Sequence, residues 1–260
     1  MANALEIPKR FLISYLTALA DDELVLGHRD SEWTGYAPIL EEDIAFSNIA
    51  QDELGHSLAL YTLAEALGNP SPDVVAFERP WKNFSCCRFV QYPKGDFAYT
   101  VMRQFLFDCA EQVRMKSLGS SSYEPLRDCS SKILAEEAYH LMHTQALIER
   151  LGDATEESHN RMQTAVTAAF PQSLGMFEDF EGEDHLVKEG IIVPSKNLKA
   201  EWLSFVVPLL EKASLKLPVR GLEPDCIPDL GGRRGKHTEH LAHLVTDLQM
   251  VYQIAPGANW

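Results

Sequence analysis

The chain has 260 residues, 45 % of them hydrophobic and 23 % charged, with a formal net charge of −15. That apolar content is enough for a packed core and excludes a disordered chain, while the acidic balance weighs against nucleic acid or an anionic membrane as partner. The sequence lacks an apolar run of the ~18 residues that a membrane span requires, and the opening MANALEIPKRF lacks the apolar centre of a signal peptide, so a cytoplasmic location is expected. Five cysteines (Cys86, Cys87, Cys109, Cys129, Cys226) without a CxxC pair argue against a disulfide framework and against a cysteine-rich zinc site.

Apolar periodicity predicts helices almost throughout. The first spans about 8–28, with Leu12, Leu16, Leu19 and Leu26 on one stripe, and breaks at SEWTGYAP, where Thr34 or Ser31 is expected to cap the next. A long second helix runs over 38–67 and stops at GNPSP, with Gly68 suited to a left-handed C-terminal cap. Residues 70–94 are mixed and loop-rich, with CCRFV as a candidate short strand. Third and fourth helices are predicted at 96–118 and 125–151, the fourth capped by Gly152. Fifth and sixth follow at 156–180 and 198–215; an irregular Pro/Gly-rich stretch, LPVRGLEPDCIPDLGGRRGKH, then leads to a last helix at 238–254. The fold class expected is all-α.

A shift of 84 positions carries Glu53 to Glu137, His56 to His140, Leu63 to Leu147, Leu67 to Leu151 and Gly68 to Gly152. Two helical hairpins of this kind imply a four-helix bundle over 1–152 built by duplication, with 153–260 as a helical extension, all in a single domain.

Charge interrupts the apolar stripes at matching places. On the second helix Phe46, Ile49, Glu53, His56, Leu60, Leu63 and Leu67 fall on one face; on the fourth Ile133, Glu137, His140, Thr144, Leu147 and Leu151 do. The first helix inserts Glu23 among Leu16, Leu19 and Leu26, and the third inserts Asp108 among Val101, Phe105 and Met115. Glu23 precedes Glu53 by 30 residues and Asp108 precedes Glu137 by 29, so antiparallel pairing brings each to about one height. Burying even one uncompensated carboxylate costs several kcal/mol or more. Two divalent ions would balance four carboxylates and accept two imidazoles. One carboxylate from each of two helices and Glu-x-x-His from each of two others is the di-iron carboxylate pattern. The expected metal ligands are therefore Glu23, Glu53, His56, Asp108, Glu137 and His140, holding two iron ions, with manganese as the alternative.

Other residues fit less well. Glu111, one turn beyond Asp108, is expected beside the ligands, as are Asp52, Glu136 and His143 or else the helix surface. His237, His240 and His243 in HTEHLAH spread around the last helix and suggest a surface or docking face. GGRRGK lacks the preceding strand of a phosphate-binding loop and suits a basic contact for an anionic ligand or partner. Tyr123 lies in the turn before the fourth helix, which leaves a radical role unsupported.

AQDELGHSLALYTLAEALG and DSEWTGYAPILEEDIAFSNI resemble the ferritin-like subunits of the bacterial phenylacetyl-CoA epoxygenase, and the C-terminal GGRRGKHTEHLAHLVTDLQMVYQIAPGANW resembles the tail of its PaaC-type subunits. That resemblance implies a ferritin-like bundle within a hetero-oligomer. It implies two partners, an NADPH-dependent reductase and a homologous PaaA-type catalytic subunit, with phenylacetyl-CoA and O2 as substrates. PaaC-type subunits are implied to be structural partners, yet all six residues named above match positions the catalytic type uses. Two readings stand at this stage: an oxygenase component with a complete ligand set, and a scaffold whose metal site is a relic.

Overall fold

In chain order the helices are α1 (Glu6–Ser31), α2 (Leu40–Ala66), α3 (Phe97–Leu118), α4 (Glu124–Asp153), α5 (Glu156–Ser173), α6 (Glu183–Lys188), α7 (Ser195–Lys212) and α8 (Glu239–Ile254). A two-residue antiparallel ladder, β1 (Val219–Arg220) with β2 (Glu223–Pro224), lies between α7 and α8. This computed structural model describes residues 6–256 and 258, with side chains from residue 9; the first residues of the segment read for a signal peptide lie outside that range. The chain divides into two units, Met1–Pro93 with Gly231–Trp260, and Lys94–Leu230.

In the first unit, α1 and α2 form an antiparallel hairpin. Their stripes are buried, Leu12, Leu16, Leu19 and Leu26 on one helix and Phe46, Ile49 and Leu60 on the other. Burial of each such side chain contributes about 1.5–3 kcal/mol. The helices approach closely at Gly27, where a Cβ would sit 3.0 Å from both the Ala50 carbonyl oxygen and Glu53 Cβ. Lower down, Ser57 donates its hydroxyl to Ala20 O at 2.8 Å. Neither Thr34 nor Ser31 caps α2. Ile39 holds the N-cap position, Thr34 bonds Ser47 at 3.0 Å, and Asp43 in the acidic first turn accepts the Gly35 N–H at 2.7 Å. Carboxylates there complement the helix dipole, so a hydroxyl cap is dispensable. Gly68 ends the helix as expected, with φ +96° and its N–H on Glu65 O at 2.7 Å. CCRFV is not a strand: Cys87 N–H goes to the Asp22 carboxylate at 2.7 Å and Phe89–Gln91 is a 3-10 turn. The last segment returns to this unit. Gln249 of α8 donates to Arg79 O at 2.8 Å, and Tyr252 bonds Glu78 at 2.6 Å.

In the second unit, α3 and α4 form the other hairpin, and α3 is buried almost all round. Trp202 of α7 donates its indole N–H to Leu106 O at 3.1 Å and stacks on Phe170 of α5. Gly152 does not cap α4, which runs on to Asp153; its hydrogen is needed because a Cβ would overlap the Ala213 carbonyl. The fifth helix ends at Ser173 rather than 180, and Leu174–Phe177 tightens into a 3-10 turn where Gly175 packs against the Asp229 carbonyl. Helix α6 is under two turns long, too short to display a period, and was not expected.

Candidate metal centre

In the first unit Glu23, Glu53 and His56 come together. Their ligand atoms lie within 4.8 Å of one another, and all three side chains are buried. His56 Nδ1 stands 3.4 Å from Glu53 Oε2 and 3.9 Å from Glu23 Oε2. The i to i+3 spacing on α2 sets the first distance, and the close approach of α1 at Gly27 sets the second. In the second unit, His140 Nδ1 stands 3.4 Å from Glu137 Oε1, and both are buried. The two Glu-x-x-His turns thus share a geometry, each imidazole turning Nδ1 to its carboxylate. A separation of 3.4 Å is long for a charge-assisted hydrogen bond. It suits two atoms each about 2.1 Å from one cation, the distance typical of such N and O ligands. The donor set, carboxylates with imidazole and no thiolate, fits iron or manganese. Cys109 lies beside Asp108, and burial raises its thiol pKa well above the ordinary value, with the Asp108 and Glu137 charges adding, so it stays protonated.

Asp108 is held differently. Its Oδ1 accepts from Gln104 Nε2 at 2.8 Å and its Oδ2 from the Thr144 hydroxyl at 2.5 Å. Among the described residues it joins no group of three as tight as that around Glu23. Glu111 is buried and ion-paired with Arg114, whose other Nη reaches Met176 O at 3.2 Å. Asp52 and His143 are partly exposed and Glu136 is exposed, as their positions beside the stripe imply.

The C-terminal motifs each turn one residue inward. Arg233 of GGRRGK is buried on Asp22, which leaves Arg234 and Lys236 as the exposed basic residues of the motif. His237 is half-buried, with Nδ1 at 2.9 Å from Gln91 Nε2 and Nε2 at 2.9 Å from Phe84 O, whereas His243 of the same motif is exposed. Burial lowers the His237 pKa, partly offset by the Phe84 contact.

The residues that periodicity missed are those around Glu23. Asp21 accepts from Tyr61 OH and from the Ser85 N–H, each at 2.5 Å, and pairs with Arg79. Burial and the Asp21 charge raise the Tyr61 pKa well above its ordinary value. Asp21, Asp22 and Glu23 are all buried. The signal was present as DDE inside an apolar pattern, because three successive carboxylates span about 200° of the helix and so reach the edges of its buried stripe.

A helical chain that buries Glu-x-x-His on each of two hairpins, with a carboxylate on the opposing helix of each, has the all-α, ferritin-like fold. The chain belongs to the phenylacetic acid catabolic protein family, which it matches over residues 2–260. It is 34 % identical over 250 residues to the C subunit of 1,2-phenylacetyl-CoA epoxidase from Escherichia coli (strain K12), covering 96 % of this chain and 99 % of that protein. It is also 27 % identical over 169 residues to the A subunit of the same enzyme, covering 65 % of this chain and 54 % of that protein. Among the described residues no helix is long and apolar enough to cross a membrane.

Proposed function

We propose that this chain is the C-type subunit of a cytoplasmic multicomponent oxygenase that epoxidises the ring of phenylacetyl-CoA with O2 in phenylacetate catabolism. Near-full-length similarity to the C-type relative carries this reading. Glu23, Glu53 and His56 of the first hairpin, and Asp108, Glu137 and His140 of the second, are the residues that would hold two iron ions. Supporting this are the equal 3.4 Å Glu–His separations and the burial of all six residues. Iron, when bound there, supplies the redox capacity to activate O2. The protein's own residues supply the rest. Glu53 and Glu137 present carboxylates to the interior, Thr144 and Gln104 orient Asp108, and the apolar stripes exclude water.

A second reading, a scaffold that holds a homologous catalytic partner, draws on Asp108, whose two oxygens already accept hydrogen bonds. Both readings place an NADPH-dependent reductase and an A-type subunit beside this chain. The exposed face of α2 supports a helical partner: Ile44, Asn48, Gln51, Leu54, Gly55, Leu58 and Thr62 run without a charge for about five turns. Elemental analysis of the purified chain separates the readings. About two metals per chain is expected, and a metal-free chain after anaerobic loading with ferrous iron would leave only the scaffold. Reconstitution with the reductase and the A-type subunit tests the common part. If phenylacetyl-CoA is not consumed any faster with this chain than without it, the assignment fails.

A further inference from the structure

GGRRGK is the motif that the metal reading leaves unused, and its local structure is built to deliver one side chain inward. Gly231 and Gly235 adopt left-handed φ values of +119° and +70° on either side of the 3-10 turn Gly232–Arg234. Between them Gly232 lies against the backbone of the Cys86–Arg88 stretch, where a Cβ would overlap the Cys86 carbonyl oxygen. Only glycine permits that approach. Arg233 then points into the first unit with 1 % of its side chain exposed. Its Nη1 donates to Ala18 O at 3.0 Å, Ser85 O at 3.1 Å and Asp22 Oδ1 at 2.9 Å, and its Nη2 to Asp22 Oδ2. This is a two-pronged guanidinium–carboxylate pair, which constrains orientation as well as distance.

Asp22 immediately precedes Glu23. The residue before it, Asp21, is gripped by Arg79, Tyr61 and the Ser85 N–H. Successive helical side chains diverge by about 100°, so the three carboxylates of this turn face three different partners. Asp22 on Arg233 and Glu23 toward His56 are therefore coupled through one rigid backbone turn. A rotation of α1 by about 20° would carry a carboxylate lying ~6 Å from the axis through about 2 Å. That displacement equals a whole metal–ligand distance of about 2.1 Å.

We propose that Arg233 is a positioning residue for the Glu23–Glu53–His56 half-site. Through Asp22 it locks the rotation of α1, so that the C-terminal segment aims Glu23 at His56 although it contributes no ligand itself. The proposal rests on the metal reading of those three residues. It also explains why a loop carrying two left-handed glycines and a close-packed one lies against the first hairpin.

The test is Co2+ binding to the full-length chain, read by the visible ligand-field absorption and by titration calorimetry, beside thermal unfolding of the metal-free protein. Arg233→Gln is expected to weaken Co2+ binding by roughly 10- to 100-fold, the usual effect of losing a group that orients a ligand, and to alter the absorption band. Gln249→Leu removes the buried amide hydrogen bonds of α8 to Ala76 O and Arg79 O without touching the α1 carboxylates, and is the control for simple loss of stability. It is expected to lower the unfolding temperature comparably while leaving the Co2+ band in place. Should Arg233→Gln not fold, Arg233→Lys keeps the charge without the fork and is expected to weaken binding by about 3- to 10-fold. A wild-type affinity and band in the folded Arg233 variant, or an equal loss in Gln249→Leu, would overturn the positioning role. A wild-type chain that binds no Co2+ would overturn the metal reading, and this proposal with it.

Discussion

Thr144 donates its hydroxyl to Asp108 across the α3–α4 hairpin at 2.5 Å, one turn beyond His140 on the same helix. Both residues are buried, so the bond restrains a carboxylate that water does not reach. Thr144→Val keeps the shape and removes the donor. We expect it to destabilise the chain by about 1–3 kcal/mol, the cost of weakening the solvation of a buried acceptor. A urea midpoint unchanged from wild type would show that this bond does not contribute.

Glu53→Ala combined with His140→Ala removes one ligand from each hairpin and is expected to abolish metal binding. Elemental analysis of the purified double variant reads this directly. Metal content equal to that of the unmodified chain would mean that the ligand assignment is wrong.

Two glycines of the first hairpin should respond to alanine with opposite sign. At Gly27 the new Cβ would meet Ala50 O and Glu53 Cβ at 3.0 Å, beside the candidate centre. Crowding of this kind costs typically about 1–3 kcal/mol, outweighing the better helix propensity. At Gly55, exposed mid-helix, a Cβ has nothing within 4 Å. There alanine should stabilise the isolated chain by about 0.5–1 kcal/mol. Thermal unfolding of the two variants side by side checks both signs.

If the uncharged face of α2 receives a partner helix, Leu58→Asp should leave the unfolding temperature of the isolated chain within about 2 °C, since Leu58 is 55 % exposed. The same variant should lose co-elution with the A-type subunit on size exclusion. Undiminished co-elution would place the interface elsewhere.

Stability should decline as the pH falls below about 6.5, the ordinary histidine value, because burial lowers the pKa of both His28 and His237. In the window between each lowered native value and 6.5 the unfolded chain binds more protons, so acid favours unfolding. Below the native values this contribution levels off. Denaturant unfolding at about pH 7.5 and about pH 5.8, either side of the ordinary histidine value, measures the drop. His237→Gln, which preserves amide-like contacts to Gln91 and Phe84, should shrink it, and an identical slope in that variant would contradict the assignment.

Much of this protein is written in its periodicity. Apolar spacing determined the helical class and the long helices to within a few residues, since a 27-residue pattern such as that of α2 samples many turns. The same spacing singled out Glu23, Glu53, His56, Asp108, Glu137 and His140, because a charge on a buried stripe breaks a pattern that is otherwise complete. Short or non-local features left no such trace. The six-residue α6 has no period to read, and the helix-breaking glycine expected at Gly152 proved to be a packing glycine set by Ala213, far along the chain. Arg233 and His237 looked like surface residues because a basic loop usually is one. Only the tertiary structure brought Arg233 onto Asp22, 211 positions earlier, and Thr144 onto Asp108. Periodicity reports which face of a helix is buried; which partner neutralises a buried charge depends on what packs against that face, and that is decided by contacts remote in the chain.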